Sequence, residues 1–230
     1  MFGFDPTMVL VIPGVLLALW AQFRVKSTFS KYSKVVSRRG LRAEQIAHDI
    51  LQRGRVDVDV EHVRGDLTDH YDPRSKILRL SDSVYGSSSL AAIGVAAHEA
   101  GHAFQHAQGY FPLSLRSNLV PVANLGSWLG MPLFFIGFMF QSGIMLQIGI
   151  VLFSFSVVFG LVTLPVEFDA SSRAIRYLRD GGYLTEDEIP MARKVLNAAA
   201  WTYVASALVA ALHLLRLLIL SGMLGGRRES

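Results

Sequence analysis

Four stretches of the chain are almost entirely apolar, and they set the outline of the predicted fold. A helix needs roughly 17–25 mostly apolar residues to cross a bilayer, and the mean hydropathy of the whole chain is +0.38. The second and third stretches carry no charge and are separated only by QSG, which indicates a membrane hairpin spanning residues 119–164. The predicted membrane segments are residues 8–23, 119–140, 144–164 and 198–221.

The last apolar stretch differs from the others because polar residues recur along it at helical spacing. Such a stripe in a membrane helix usually faces the bundle interior or a water-filled cleft. We therefore predict that residues 198–221 form a transmembrane helix, with an interfacial helix as the alternative. The polar residues of the stripe are Thr202, Ser206, His213 and Arg216.

Between these stretches the pattern changes to that of a small α+β unit. LRAEQIAHDILQ has helical spacing, VDVDVEHV alternates as a half-buried strand does, and LTDHY and KILRLS are predicted as strands joined by a DPRS turn. Serines 87–89 supply an N-cap for a further helix that ends near Gly109. We assign this unit to residues 24–118, and predict helices for residues 165–197, interrupted at Gly181 and Gly182.

The positive charges indicate how the chain is oriented in the membrane. Of the 22 lysines and arginines, 14 lie between Arg24 and Arg116 and five between Arg173 and Lys194. By the positive-inside rule both polar segments are cytoplasmic and the N-terminus is outside. The net charge of +4 is therefore a topology signal, and nucleic acid is not an expected partner.

The segment AAHEAGHAFQH, residues 96–106, carries the candidate chemistry. His98 and His102 are one helical turn apart, so both imidazoles can point at one zinc ion. Glu99 lies beside that point and can take a proton from a water molecule activated by the zinc and pass it to a leaving amine. The chain has no cysteine, so thiolate ligands are excluded. We predict one zinc ion per chain, at this pair of histidines.

A catalytic zinc needs one more protein ligand, which leaves the fourth position open. Gln108 stands where a metzincin has its third histidine, so that class is excluded. His106 is about 12 Å along the helix axis from His98, too far to share the metal; we predict that it faces solvent or an interface, with an orienting or substrate-binding role as the alternative. Glu167 is the candidate, because the membrane hairpin returns VEFDAS to the same membrane face and starts a new helix there. The alternative for Glu167 is a helix cap favoured by the dipole.

These residues carry a resemblance to known families. HEAGH followed by a two-span hairpin and EFDAS is similar to the pattern of HtpX-type membrane proteases and CAAX prenyl proteases. The segments LTDHYDPRSKILRLSDSVYGSSSLAAIGVAAHEAGHAFQHAQGY and LVTLPVEFDASSRA resemble the bacterial YugP-type membrane neutral zinc metallopeptidases, over essentially the whole chain. The resemblance implies that His98, His102 and Glu167 bind zinc and that Glu99 is the general base. It also implies an α-helical multi-pass protein of the bacterial cytoplasmic membrane with a small α+β zincin-like cytoplasmic metalloprotease domain.

The resemblance extends to residues around the metal. In HtpX-like proteins an Asp four residues after the ligand Glu orients a zinc histidine, but here that position is Ser171 and the nearest acid is Asp169, so both are candidates for this role. In related metalloproteases an edge strand before the active helix holds the substrate as an added strand. Two of its residues, His70 and Tyr71, are also candidates for stabilising the oxyanion, and an ordinary hairpin is the alternative. The substrate-binding candidates are Thr68, Asp69, His70 and Tyr71.

The predicted function is therefore that of an integral membrane zinc endopeptidase acting on peptides and proteins at the cytoplasmic membrane face, with the lipid bilayer as its other partner. A site-2-type intramembrane protease is disfavoured, because only Leu90–Ala97 is apolar before His98. A zinc-binding scaffold or chaperone partner without turnover would not need Glu99 beside the metal.

Overall fold

The computed structural model describes residues 5–223 and is mostly helical, as predicted. Within that range it has one 3-10 helix, Pro6–Val11, six α-helices and one three-stranded sheet. The elements, in chain order, are α1 (Ile12–Tyr32), α2 (Ala43–Arg53), β1 (Asp59–His62), β2 (His70–Asp72), β3 (Ile77–Leu80), α3 (Leu90–Ala107), α4 (Phe111–Met139), α5 (Gly143–Asp180) and α6 (Ile189–Leu220).

Four of these helical segments are long and apolar enough to cross a membrane. They are Pro6–Tyr32, Phe111–Met139, Gly143–Asp180 and Ile189–Leu220. Residues 140–142 connect α4 to α5, so two of these helices follow one another across a three-residue connection. The described chain divides into two compact units: a first unit of residues 5–21, 115–164 and 202–223, and a second unit of residues 22–114 and 165–201.

The first unit contains the apolar parts of the long helices and a partly buried polar cluster. The guanidinium of Arg216, on α6, donates to the Asp5 carboxylate at 2.6 Å and to the Thr7 hydroxyl at 3.1 Å. Gly14 of α1 lies against Val209 and Leu212 of α6, where a Cβ would approach them to 3.0–3.1 Å. Arg216 belongs to the polar stripe of the last apolar stretch, and its charge is thus paired with the Asp5 carboxylate, which precedes α1.

The second unit has its own core, in which α2, β3 and α3 meet the end of α5 and the start of α6. Leu78 and Leu80 of β3 are fully buried, because they lie on the face of the sheet that packs in this core. β3 is the central strand of the sheet, with β1 parallel to it on one side and β2 antiparallel on the other. β2 is shorter than the predicted strand LTDHY. Asp69 explains the difference, because its carboxylate accepts the backbone N–H of Ser81 at 2.7 Å and so replaces the next pairing of the ladder.

The predicted start of a separate helix near Glu167 is wrong. α5 runs without interruption from Gly143 to Asp180, through Pro165, so Glu167 lies in the middle of a helix. A proline in a helix removes one backbone hydrogen bond. The residues that follow Pro165 are buried, including Val166 and Ala170, and this burial stabilises the continuation of the helix beyond the proline. The predicted end of this helix at the glycine pair is confirmed, since Gly182 adopts a φ of +64°.

Candidate metal centre

The helix α3 presents the two histidines of the HEAGH segment on one face. It begins at the predicted cap, where the Ser89 hydroxyl accepts the backbone N–H of Ala92 at 3.2 Å. It ends before Gly109, whose φ of +63° suits a residue without a side chain. Small residues fill most of its buried surface, and they allow other helices to approach its backbone closely.

The helices α3 and α5 approach each other closely at Gly101. A Cβ at Gly101 would lie 2.7 Å from the carbonyl oxygen of Ala170, a distance that real Cβ atoms essentially never show. Ala170 is one helical turn beyond Glu167. The glycine between the two histidines therefore lets α5 come near enough for the Glu167 side chain to reach them.

The structure brings His98, His102 and Glu167 together, as the sequence led us to expect. Their ligand atoms all lie within 4.8 Å of one another, and Glu167 Oε2 is 3.3 Å from His98 Nε2 and 3.7 Å from His102 Nε2. Ligand atoms about 2.0–2.1 Å from a tetrahedral zinc lie about 3.4 Å apart. Two imidazole nitrogens and one carboxylate oxygen at these separations fit a zinc ion.

The charges at this cluster favour an ionised carboxylate. Burial alone would raise the pKa of Glu167, but its hydrogen bonds and charge interactions with His102 and His98 outweigh burial and hold that pKa well below its ordinary value. Burial lowers the pKa of His102, yet the contact with Glu167 and the negative charges of Glu99 and Glu167 raise it overall. Glu99, the predicted base, follows His98 directly on α3 and is partly buried.

Each histidine also has a partner on its second ring nitrogen. The Ser171 hydroxyl lies 3.1 Å from His98 Nδ1, and the side-chain oxygen of Gln105 lies 2.9 Å from His102 Nδ1. Asp169 reaches His102 only indirectly, because its carboxylate accepts a hydrogen bond from Gln105 at 2.8 Å. The two predicted orienting candidates are thus both at the site, and Gln105 was missed.

A signal for Gln105 does exist in the sequence. It is a polar residue on the buried face of α3, three positions after His102, and it is fully buried. A buried amide is normally hydrogen-bonded, so its position predicts a polar partner. The partner could not be named from the sequence because Asp169 lies 64 residues away.

The predicted substrate-binding residues lie in and before β2, which is an edge strand. His106 is exposed, as predicted. Its Nδ1 lies 2.9 Å from the Tyr71 hydroxyl, so it has a hydrogen-bond partner. Burial, with the nearby charge of Asp72, raises the pKa of Tyr71. His70 and Thr68 are exposed, and the two are linked through His70 Nδ1 and the Thr68 carbonyl oxygen at 2.8 Å.

Comparisons with known proteins identify the family of this chain. Residues 7–222 match a family described as "Putative neutral zinc metallopeptidase". The chain is 48% identical over 223 residues to the "Putative membrane protease YugP" of Bacillus subtilis (strain 168), covering 96% of this chain and 98% of the relative. No solved structure matches the chain at a significant level.

Proposed function

The chain belongs to this family of neutral zinc metallopeptidases, and from that premise we propose that it is an integral membrane zinc endopeptidase. The observation that carries the proposal is the meeting of His98, His102 and Glu167, whose ligand atoms lie within 4.8 Å of one another. These three residues would hold one zinc ion and leave a position for water or substrate.

We assign the proton transfers to Glu99. Zinc, when bound, supplies Lewis-acid chemistry, since it polarises a peptide carbonyl group and makes a water molecule more acidic. The Glu99 carboxylate takes a proton from the attacking water and delivers it to the amine nitrogen as the carbon–nitrogen bond breaks. The position of Glu99 on α3, directly after the proposed ligand His98, supports this role.

We assign substrate binding to the outer edge of β2 and the residues before it, Thr68–Tyr71. Within the described residues β2 pairs only with β3, so its other edge is open to an extended peptide, which binds by main-chain hydrogen bonds. Asp69 serves the fold instead, because its carboxylate bonds to Ser81. Tyr71, oriented by His106, is the candidate donor to the oxyanion. Tyr71→Phe should lower kcat at least about tenfold with unchanged zinc content; an unchanged kcat would exclude this role.

We infer that the second unit is cytoplasmic. Its segments carry most of the positive charge, and α3 is not among the four candidate membrane helices, which favours cleavage outside the hydrocarbon core. The pairing of Arg216, near the end of α6, with Asp5, before α1, supports a spanning last helix. The chain has no cysteine, so Glu186→Cys gives a single label, expected to react with an impermeant maleimide only after cells are opened. Labelling in intact cells would contradict this orientation.

Two substitutions test the proposed chemistry in detergent-solubilised protein. Glu99→Gln should keep zinc and lose cleavage of a quenched peptide or casein, because the amide cannot accept the proton. Glu167→Ala should lose zinc, because it removes one of three ligands. Glu186→Gln is the matched control, since that side chain is 80% exposed, and it should behave as the wild type does.

The outcomes also separate this function from its alternatives. Zinc bound by the wild type without any cleavage would favour a scaffold that retains the metal. Cleavage by Glu99→Gln at the wild-type rate would exclude Glu99 as the base. Zinc retained by Glu167→Ala would place the third ligand elsewhere.

A further inference from the structure

The buried amide of Gln105 has a fixed orientation. Its nitrogen donates to the Val166 carbonyl oxygen at 2.8 Å and to the Asp169 carboxylate at 2.8 Å. Both of these partners are acceptors, so a flipped amide would place its oxygen against two oxygens and lose both bonds. The oxygen of Gln105 must therefore face His102.

This orientation decides where His102 carries its proton. The Gln105 oxygen is only an acceptor, so the Nδ1 of His102, 2.9 Å away, must be the donor. In a neutral imidazole the other nitrogen is then unprotonated. That nitrogen, Nε2, is the one that faces Glu167, at 3.7 Å.

Asp169 is itself held in place. Arg173, one turn further along α5, donates from Nε to the Asp169 carboxylate at 2.5 Å and from its terminal nitrogen to the Gln108 side-chain oxygen at 2.5 Å. The Arg173 side chain is only 14% exposed, and its guanidinium lies over the Tyr110 ring. A chain of contacts thus runs from Arg173 through Asp169 and Gln105 to His102.

We propose that Gln105, anchored by Asp169 and Arg173, is a positioning residue that holds His102 with its Nε2 lone pair toward the metal. The inference rests on the proposed zinc binding. It assigns to Gln105 and Arg173 a role that goes beyond the ligands and the base. Partners of this kind typically change metal affinity about 10–100-fold when they are removed.

The test measures zinc affinity by competition with a chromogenic chelator, in the full chain in detergent. Gln105→Met keeps a side chain of similar volume but removes the acceptor for His102, and it should weaken zinc binding about 10–100-fold. The visible spectrum of the cobalt-loaded variant should also change, because the orientation of His102 does. Gln52→Met is the matched control, since Gln52 is exposed on α2, and it should leave both measurements unchanged.

A pair of variants at Asp169 distinguishes positioning from packing. Asp169→Ala removes the carboxylate that anchors Gln105 and leaves the contact between Gln105 and His102 itself in place, and it should weaken zinc binding at least about tenfold. Asp169→Asn keeps one oxygen, which can accept the hydrogen bonds from both Gln105 and Arg173, and it should bind zinc within about threefold of the wild type. If Gln105→Met does not fold, this pair decides alone.

The failures of the two proposals are distinguishable. Wild-type zinc affinity in Gln105→Met or in Asp169→Ala would overturn the role of Gln105 and leave the proposed function standing. A wild-type chain that binds no zinc would overturn both.

Discussion

The contact between Gly101 and Ala170 gives a quantitative prediction about the metal centre. Gly101→Ala would place a Cβ 2.7 Å from the Ala170 carbonyl oxygen, whereas ordinary contact begins at 3.4 Å. The two helices would therefore have to separate by about 0.7 Å, the difference between those distances. Zinc sites tolerate deviations of only about ±0.2 Å in ligand distance, so the shift should displace Glu167 from its place as a ligand.

The expected loss follows from the cost of that displacement. Overpacking of a well-packed site costs typically about 1–3 kcal/mol, and each 1.4 kcal/mol is about tenfold in affinity. If the metal site bears this strain, Gly101→Ala should weaken zinc binding by about 5–150-fold. The stability of the metal-free protein should change less, because alanine is better than glycine in a helix by about 1 kcal/mol.

The measurement is zinc affinity by chelator competition, together with the thermal unfolding of the metal-free protein. Gly94→Ala is the matched control on the same helix, because its Cβ would meet Ala192 at an ordinary 3.7 Å. It should keep wild-type zinc affinity. Wild-type zinc affinity in Gly101→Ala would refute the reasoning that this glycine sets the approach of α5.

Two further predictions concern the buried polar contacts of each unit. Asp5→Ala removes the carboxylate that pairs with the Arg216 guanidinium but leaves the Thr7 hydroxyl as an acceptor, so the free energy of unfolding in detergent should fall by about 1–3 kcal/mol. Asp187→Asn at an exposed ion pair should cost no more than about 1 kcal/mol, and equal effects of the two substitutions would contradict this prediction. Burial and the hydrogen bond to Asp49 raise the pKa of Tyr183 from 10.0 to about 12, so the stabilisation from this tyrosine is complete below pH 10 and is lost as the pH rises through 12. Tyr183→Phe should therefore flatten the decrease of the unfolding temperature between pH 10 and 12. A decrease as steep as in the wild type would contradict the assignment.

Local patterns in the sequence were sufficient for the helices and for the pair of imidazoles. The apolar stretches, the cap at Ser89 and the spacing of His98 and His102 depend only on residues a few positions apart, and the structure has each of these features. Glu167 was reached by a longer argument, from the hairpin that returns the chain and from resemblance. The prediction that Glu167 starts a helix was wrong, because α5 continues through Pro165. The packing that stabilises the helix beyond this proline involves distant residues, so no local pattern in the sequence shows it.

The tertiary structure alone decided how the histidines are held. The contact of Gly101 with Ala170 and the chain from Arg173 to His102 depend on which faces of α3 and α5 meet. Those faces are set by the packing of side chains more than 60 residues apart, which the periodicity of either helix does not encode. An amide on an apolar helix face, such as that of Gln105, predicts that a hydrogen-bond partner is present. Only the tertiary structure shows that this partner is Asp169.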